Sequence, residues 1–164
     1  VTKYAASTEV SSSRSRDEIE RTLQRYGADQ FMYGWQEADA VIGFRMADRQ
    51  VRFIVPLPAR DDKQFTTYES RGKLWRREDH VALKHYEQAV RQKWRALALV
   101  IKAKLEAVEA GISEFESEFL ANIVLPGTNG QTAGDWLRPQ VAEAYRIGTM
   151  PTLLPMLPAP EKKS

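Results

Sequence analysis

Residues 78–110 read EDHVALKHYEQAVRQKWRALALVIKAKLEAVEA and contain neither Gly nor Pro. Leu83, Val90, Trp94, Leu97, Ile101, Leu105 and Val108 recur at spacings of three, four and seven, which is one face of an amphipathic α-helix. At ~1.5 Å per residue such a helix runs roughly 50 Å, longer than the usual globular helix. Lys84, Arg91, Arg95 and Lys102 follow one another at intervals of seven, four and seven. At ~100° per residue they fall within about 40° of each other, roughly 105° round from the apolar stripe. One element therefore offers a wall to a core and a basic ridge beside it.

Upstream, three stretches alternate as strands do. Residues 30–36 place Phe31, Tyr33 and Trp35 on one side, residues 40–46 place Ile42, Phe44 and Met46, and residues 51–55 place Val51, Phe53 and Val55. Short polar connections make this an antiparallel meander with one strongly apolar face, which the long helix is expected to cover, with Trp94 and Leu97 near Phe44 and Phe53. The other face carries Met32, Arg45, Arg52 and Ile54. A hairpin turning on Asp48-Arg49 sets Arg45 opposite Arg52, a like-charge pair that calls for phosphate, carboxylate or water to neutralise it. Before the meander, Ser15 and Glu18 form a capping-box pattern for a short helix over residues 16–26, with Ile19, Leu23 and Tyr26 inward and Gly27 ending it. Residues 1–14 are Ser/Thr-rich and read as a mobile arm.

Pro56 and Pro58 end the third strand. Residues 59–77 then read as a long polar loop in which Phe65, Tyr68, Leu74 and Trp75 interleave with cations. Such a pattern either pins a loop to its own domain or stacks on bases while cations meet phosphates. After the long helix, Gly111 permits a bend. Residues 113–122 suggest a short acidic helix, and Pro126 to Gly130 a turn. Thr132 with Asp135 makes a second capping box for a helix over residues 133–146, closed by Gly148. The Pro-rich tail, residues 149–164, holds apolar anchors (Leu153, Leu154, Met156, Leu157) suited to docking on this chain or another copy. The expected fold class is α+β. It comprises a short helix, a three-stranded antiparallel meander, a long central helix and two shorter C-terminal helices, all in a single domain over residues 15–148.

Composition narrows function by exclusion. The 164 residues are 43% hydrophobic and contain no cysteine, so disulfides, thiolate metal sites and thiol nucleophiles are ruled out. No apolar run approaches the ~20 residues of a membrane span, and the first residues lack the apolar core of a signal peptide. A cytoplasmic protein without membrane partners is expected. The net charge of +2 is unevenly spread: residues 71–104 carry +7 and residues 105–150 carry −5. This suggests a polyanion-binding side or head-to-tail association, against the plainer alternative of a solvated helix face. His80 and His85, five apart on a helix, diverge by about 140° and cannot share a metal. No phosphate-binding or dinucleotide glycine motif occurs, Ser11–Ser13 is no nucleophile elbow, and the acids resemble solvated groups more than a catalytic pair. Neither an enzyme nor a cofactor is expected.

The order helix, meander, helix is similar to the double-stranded-RNA-binding domain. It also resembles the core of the Rad52-type single-strand annealing proteins of phages and eukaryotes, which pack a β-meander on a long helix and line a groove with cations, often in rings. The likeness covers roughly residues 15–110 and is one of topology. The stretches RYGADQFMYGW, VRFIVPLP and KWRALALVIKAKLEAVEAGI resemble phage and prophage proteins. These features imply a phage-type protein that binds nucleic acid, single-stranded DNA in a recombination setting being one form, as a homo-oligomer. Arg91, Arg95 and Lys102 would meet phosphates, with Lys84 on the same ridge and Arg45 and Arg52 assisting. The alternative is a non-enzymatic module, such as a phage inhibitor of a host protein.

Overall fold

The computed structural model describes residues 3–36 and 38–149, with side chains over residues 13–35 and 38–149. Residues 150–164, all but the first of the expected Pro-rich tail, lie outside the described residues, and with them the docking expected of its apolar anchors. The fold is α+β, as the sequence implies. Helix α1 (Lys3–Arg25) precedes strands β1 (Gln30–Gln36), β2 (Asp39–Met46) and β3 (Arg49–Val55). A helical turn, α2 (Lys63–Thr66), and a hairpin, β4 (Thr67–Ser70) with β5 (Lys73–Arg76), lead into the long helix α3 (Asp79–Glu109). Helix α4 (Phe115–Phe119), a 3-10 turn at Leu120–Asn122 and helix α5 (Ala133–Ile147) follow.

The meander pairs β1-β2-β3, all antiparallel. Phe31–Phe44–Val51, Tyr33–Ile42–Phe53 and Trp35–Ala40–Val55 stand in cross-strand rows on one face. That face is the core. Ala40, Ile42, Phe44, Met46, Val51, Phe53 and Val55 are buried against Ile19 and Leu23 of α1 and Val90, Trp94, Ala98, Ile101 and Leu105 of α3. Period-two and period-3.6 stripes thus meet as read, with Leu97 partly buried at their margin. Trp94 is 0% exposed, but its ring neighbour is Tyr33, edge-on at 5.5 Å. The place over Phe44 and Phe53 belongs to Phe119 of α4, at 5.8 and 6.3 Å.

Three expectations are corrected. Helix α1 begins at Lys3, about three turns before Ser15, so Ser15 is inside the helix and caps nothing. Most residues, serine included, lie within about 0.7 kcal/mol of alanine in helix propensity, so a Ser-rich stretch without Gly or Pro has nothing to stop it. The β2–β3 hairpin turns on Ala47-Asp48, not Asp48-Arg49, so Arg45 faces Gln50 and Arg52 faces Gly43. The repulsive pair is not formed. Residues 59–77, read as a loop, contain α2 and the β4–β5 hairpin; the two strands bury neither face, so they carry no half-buried alternation to read.

The C-terminal segment closes one edge of the sheet. Val124 N–H donates to Gln50 C=O at 2.8 Å, and Ile123 bridges to Val51. Thr132 caps α5 in the capping box that its sequence announces, and Gly148 ends the helix in the left-handed conformation at φ 74°.

Candidate nucleic-acid interface

On α3 the predicted ridge exists. Lys84, Arg91, Arg95 and Lys102 are all exposed. Arg91 lies 4.0 Å from the half-buried Glu87 one turn earlier, at the limit of ion-pair distance, and its own side chain stays exposed to solvent and salt. Lys84, Arg95 and Lys102 form no ion pair among the described residues. Arg91 and Arg95 repel one another as an i,i+4 pair. The last turn of α3 carries no cation and includes Glu106 and Glu109, against the preference of the helix dipole for cations at that end. Helix stability alone does not account for this charge order.

Helix α1 supplies a second row that the sequence reading missed. Arg14, Arg21 and Arg25, spaced seven and four apart, are exposed on the side away from Ile19 and Leu23. Tyr26, just past the end of α1, donates its hydroxyl to Glu106 near the end of α3 at 2.6 Å. Arg14 and Ser15 line a groove of about 610 Å³ together with Gln88, Arg91, Gln92 and Arg95. The two helices therefore run side by side in the same direction; Arg14 from one row and Arg91 and Arg95 from the other line the groove between them, while Arg21 and Arg25 continue the first row over the outer surface of α1. Glu18 is the acid within it. The signal for the second row was legible as Arg14/Arg21/Arg25 at the same heptad-like spacing as the ridge. A helix beginning at residue 16 contains Arg21 and Arg25 but leaves out Arg14, the member of the row that lines the groove.

Arg45 and Arg52 go elsewhere. Both stand on the outer face of the sheet, opposite the side that α1 and α3 cover, and each has a carboxylate. Arg45 Nε donates to both oxygens of Asp29 at 2.9 and 3.0 Å, which holds the Asp29 carboxyl below its usual range and pushes the guanidinium up. Arg52 pairs with Asp135 of α5 at 3.3 Å, while its Nε is buried without a hydrogen-bond partner among the described residues. The two arginines line a separate cleft of about 650 Å³ with Met32, Gly43, Val124 and Gly130. Of the six residues expected in the site, the structure brings four together and sets two apart.

Three acids of the acidic half bind cations from elsewhere in the chain. Glu116 pairs with Arg49 at 2.6 Å, Glu118 with Lys104 at 3.4 Å and Asp135 with Arg52. Of the basic segment, residues 71–104, Lys104 is drawn into these pairs, whereas Lys84, Arg95 and Lys102 stay exposed without an ion pair among the described residues. Among the described residues no group of three or more His, Asp or Glu could hold a metal ion, and no helix is long and apolar enough to cross a membrane. Comparison with models of known families, with characterised proteins and with solved structures finds no match to this chain.

Proposed function

We propose that this chain binds nucleic acid through the cationic surface that α1 and α3 share. One observation carries the reading: Arg14, Arg21, Arg25, Lys84, Arg91, Arg95 and Lys102 stand exposed in two parallel rows that outnumber the acids beside them, Glu18 in the groove and Glu87 next to Arg91, while Glu116, Glu118 and Asp135 pair with other cations. Two such rows suit the regularly spaced charges of a phosphate backbone better than they suit a single small anion. Assembly into a homo-oligomer and strand annealing in a phage setting extend the same reading.

The test is a salt series with labelled single- and double-stranded DNA and RNA. Phosphate contacts release condensed counterions, so affinity falls as salt rises, with a log–log slope of roughly 0.7 to 0.9 per contact. Arg91→Ala with Arg95→Ala is expected to leave the fold intact, weaken binding to all sequences alike and flatten that slope by about one to two. Arg14→Ala with Arg21→Ala is expected to do the same from the other row. Absence of wild-type binding at low salt to every nucleic acid tried would overturn the reading.

A second reading, a non-enzymatic protein-interaction module, has its own support in α5. Trp136, Val141, Tyr145 and Ile147 remain exposed there, apolar side chains that a protein partner could cover.

A further inference from the structure

The β4–β5 hairpin stands out from the domain. From Tyr68 to Arg76 every residue is exposed, although an isolated two-stranded hairpin is marginal in water. Its root is fixed. Phe65 is buried edge-on against Tyr86 of α3 at 5.8 Å. Arg77 donates its Nε to Thr67 C=O at 2.9 Å and its Nη1 lies 2.7 Å from His85. Its tip is tight: Arg71 and Gly72 both take positive φ, 50° and 71°, as a two-residue hairpin turn requires. The ribbon is thus held at its base and projects beyond it.

Its exposed rings are not placed as core residues are. Tyr68 and Trp75 are directly opposed across the two strands, 44% and 53% exposed. The Arg77 guanidinium sits 5.7 Å over the Tyr68 ring, holding it from one side. Lys73, paired with Ser70, shares the face of the two rings, and Arg71 crowns the tip. Residues 71–77 hold four Lys/Arg and no acid. Aromatic rings next to each other with cations a few ångströms on are what stacked bases and their linking phosphates require. A duplex keeps its base faces inside the stack; a single strand does not.

Resting on the nucleic-acid reading above, we infer that the Tyr68/Trp75 face of this hairpin is a stacking platform for single-stranded nucleic acid, with Lys73 and Arg71 on the flanking phosphates. The platform adjoins the start of α3, and the ridge begins at Lys84, so the hairpin supplies strand preference while the helices supply affinity.

Fluorescence anisotropy of the full chain with a labelled oligothymidylate and with a blunt duplex of equal length tests this. Trp75→Ala is expected to weaken oligothymidylate binding about tenfold, within the range that loss of one base–ring stack produces, and to change duplex binding less than about twofold. Trp75→Phe keeps a π-face and is expected to restore most of the loss, with unchanged circular dichroism for both variants. If Trp75→Ala weakens single strand and duplex equally, or weakens neither while Arg91→Ala with Arg95→Ala weakens both, the platform is wrong and the helix interface stands. If the wild-type chain binds neither probe, both inferences fall together.

Discussion

Ala47 and Asp48 turn the β2–β3 hairpin with φ of 51° and 56°, a conformation that L-residues other than Asn, Asp and Gly adopt at a cost of about 1–2 kcal/mol. The register that this turn imposes separates Arg45 from Arg52 and lets Asp29 grip Arg45. Ala47→Gly is therefore expected to stabilise the fold by up to about 1 kcal/mol, read from the urea midpoint, because it relieves the left-handed strain without moving the register. Asp135 offers a test of pH dependence. The backbone N–H and hydroxyl of Thr132, then the charges of Arg52 and Arg138, hold its carboxyl below the usual range. The unfolded aspartate takes its proton near pH ~4 and the folded one only at lower pH. Its contribution is thus complete above about pH 5 and is lost as pH falls through the folded value. Asp135→Asn is expected to flatten the acid limb of a stability-against-pH curve and to lower stability at neutral pH.

Among the elements, α5 is held by an unusually close approach. A Cβ added at Gly134 would sit 2.6 Å from the backbone oxygen of Ala121 in the 3-10 turn, a contact that backbone cannot yield cheaply. Gly→Ala inside a helix normally stabilises by about 1 kcal/mol. Gly134→Ala is expected to do the reverse, costing about 1–3 kcal/mol as an overpacked contact does, and calorimetry gives the sign directly. Helix α3 supplies the matching case on the core side. Trp94→Ala removes a ring buried against Tyr33 and is expected to cost about 3–5 kcal/mol, measured by urea unfolding. Changes to the ridge on the neighbouring face leave that cost untouched.

For the whole molecule, the charge asymmetry has a structural division of labour. The segment after Gly111 brings Phe119, 0% exposed, over the rings of the sheet. It ties Arg49, Arg52 and Lys104 with its carboxylates and pairs with the edge of β3 at Gln50 and Val51. Ending the chain at Gly111 uncovers both an apolar face and an open strand edge, which template association with other chains. The truncated protein is expected to lose cooperative thermal unfolding and to aggregate in light scattering. A monomeric, cooperatively folding product would show that the segment is an appendage.

Features that depend on near neighbours in the chain were legible in the sequence. Period two gave β1 over residues 30–36, period 3.6 gave the long helix, and Thr132 with Asp135 and Gly148 marked the ends of α5, because each signal is carried by residues a few positions apart. The four-cation ridge belongs with them, since spacing alone sets a helix face. Tertiary structure decided what depends on residues far apart. Asp29 and Asp135 neutralise Arg45 and Arg52 from 16 and 83 positions away, and Phe119 reaches the sheet from a segment whose own pattern says only that it is acidic. The second cationic row gains meaning only when α1 lies parallel to α3. Periodicity fixes which side chains share a face; which faces meet is fixed by burial of apolar surface over the entire chain, and that also determines which charges remain in water.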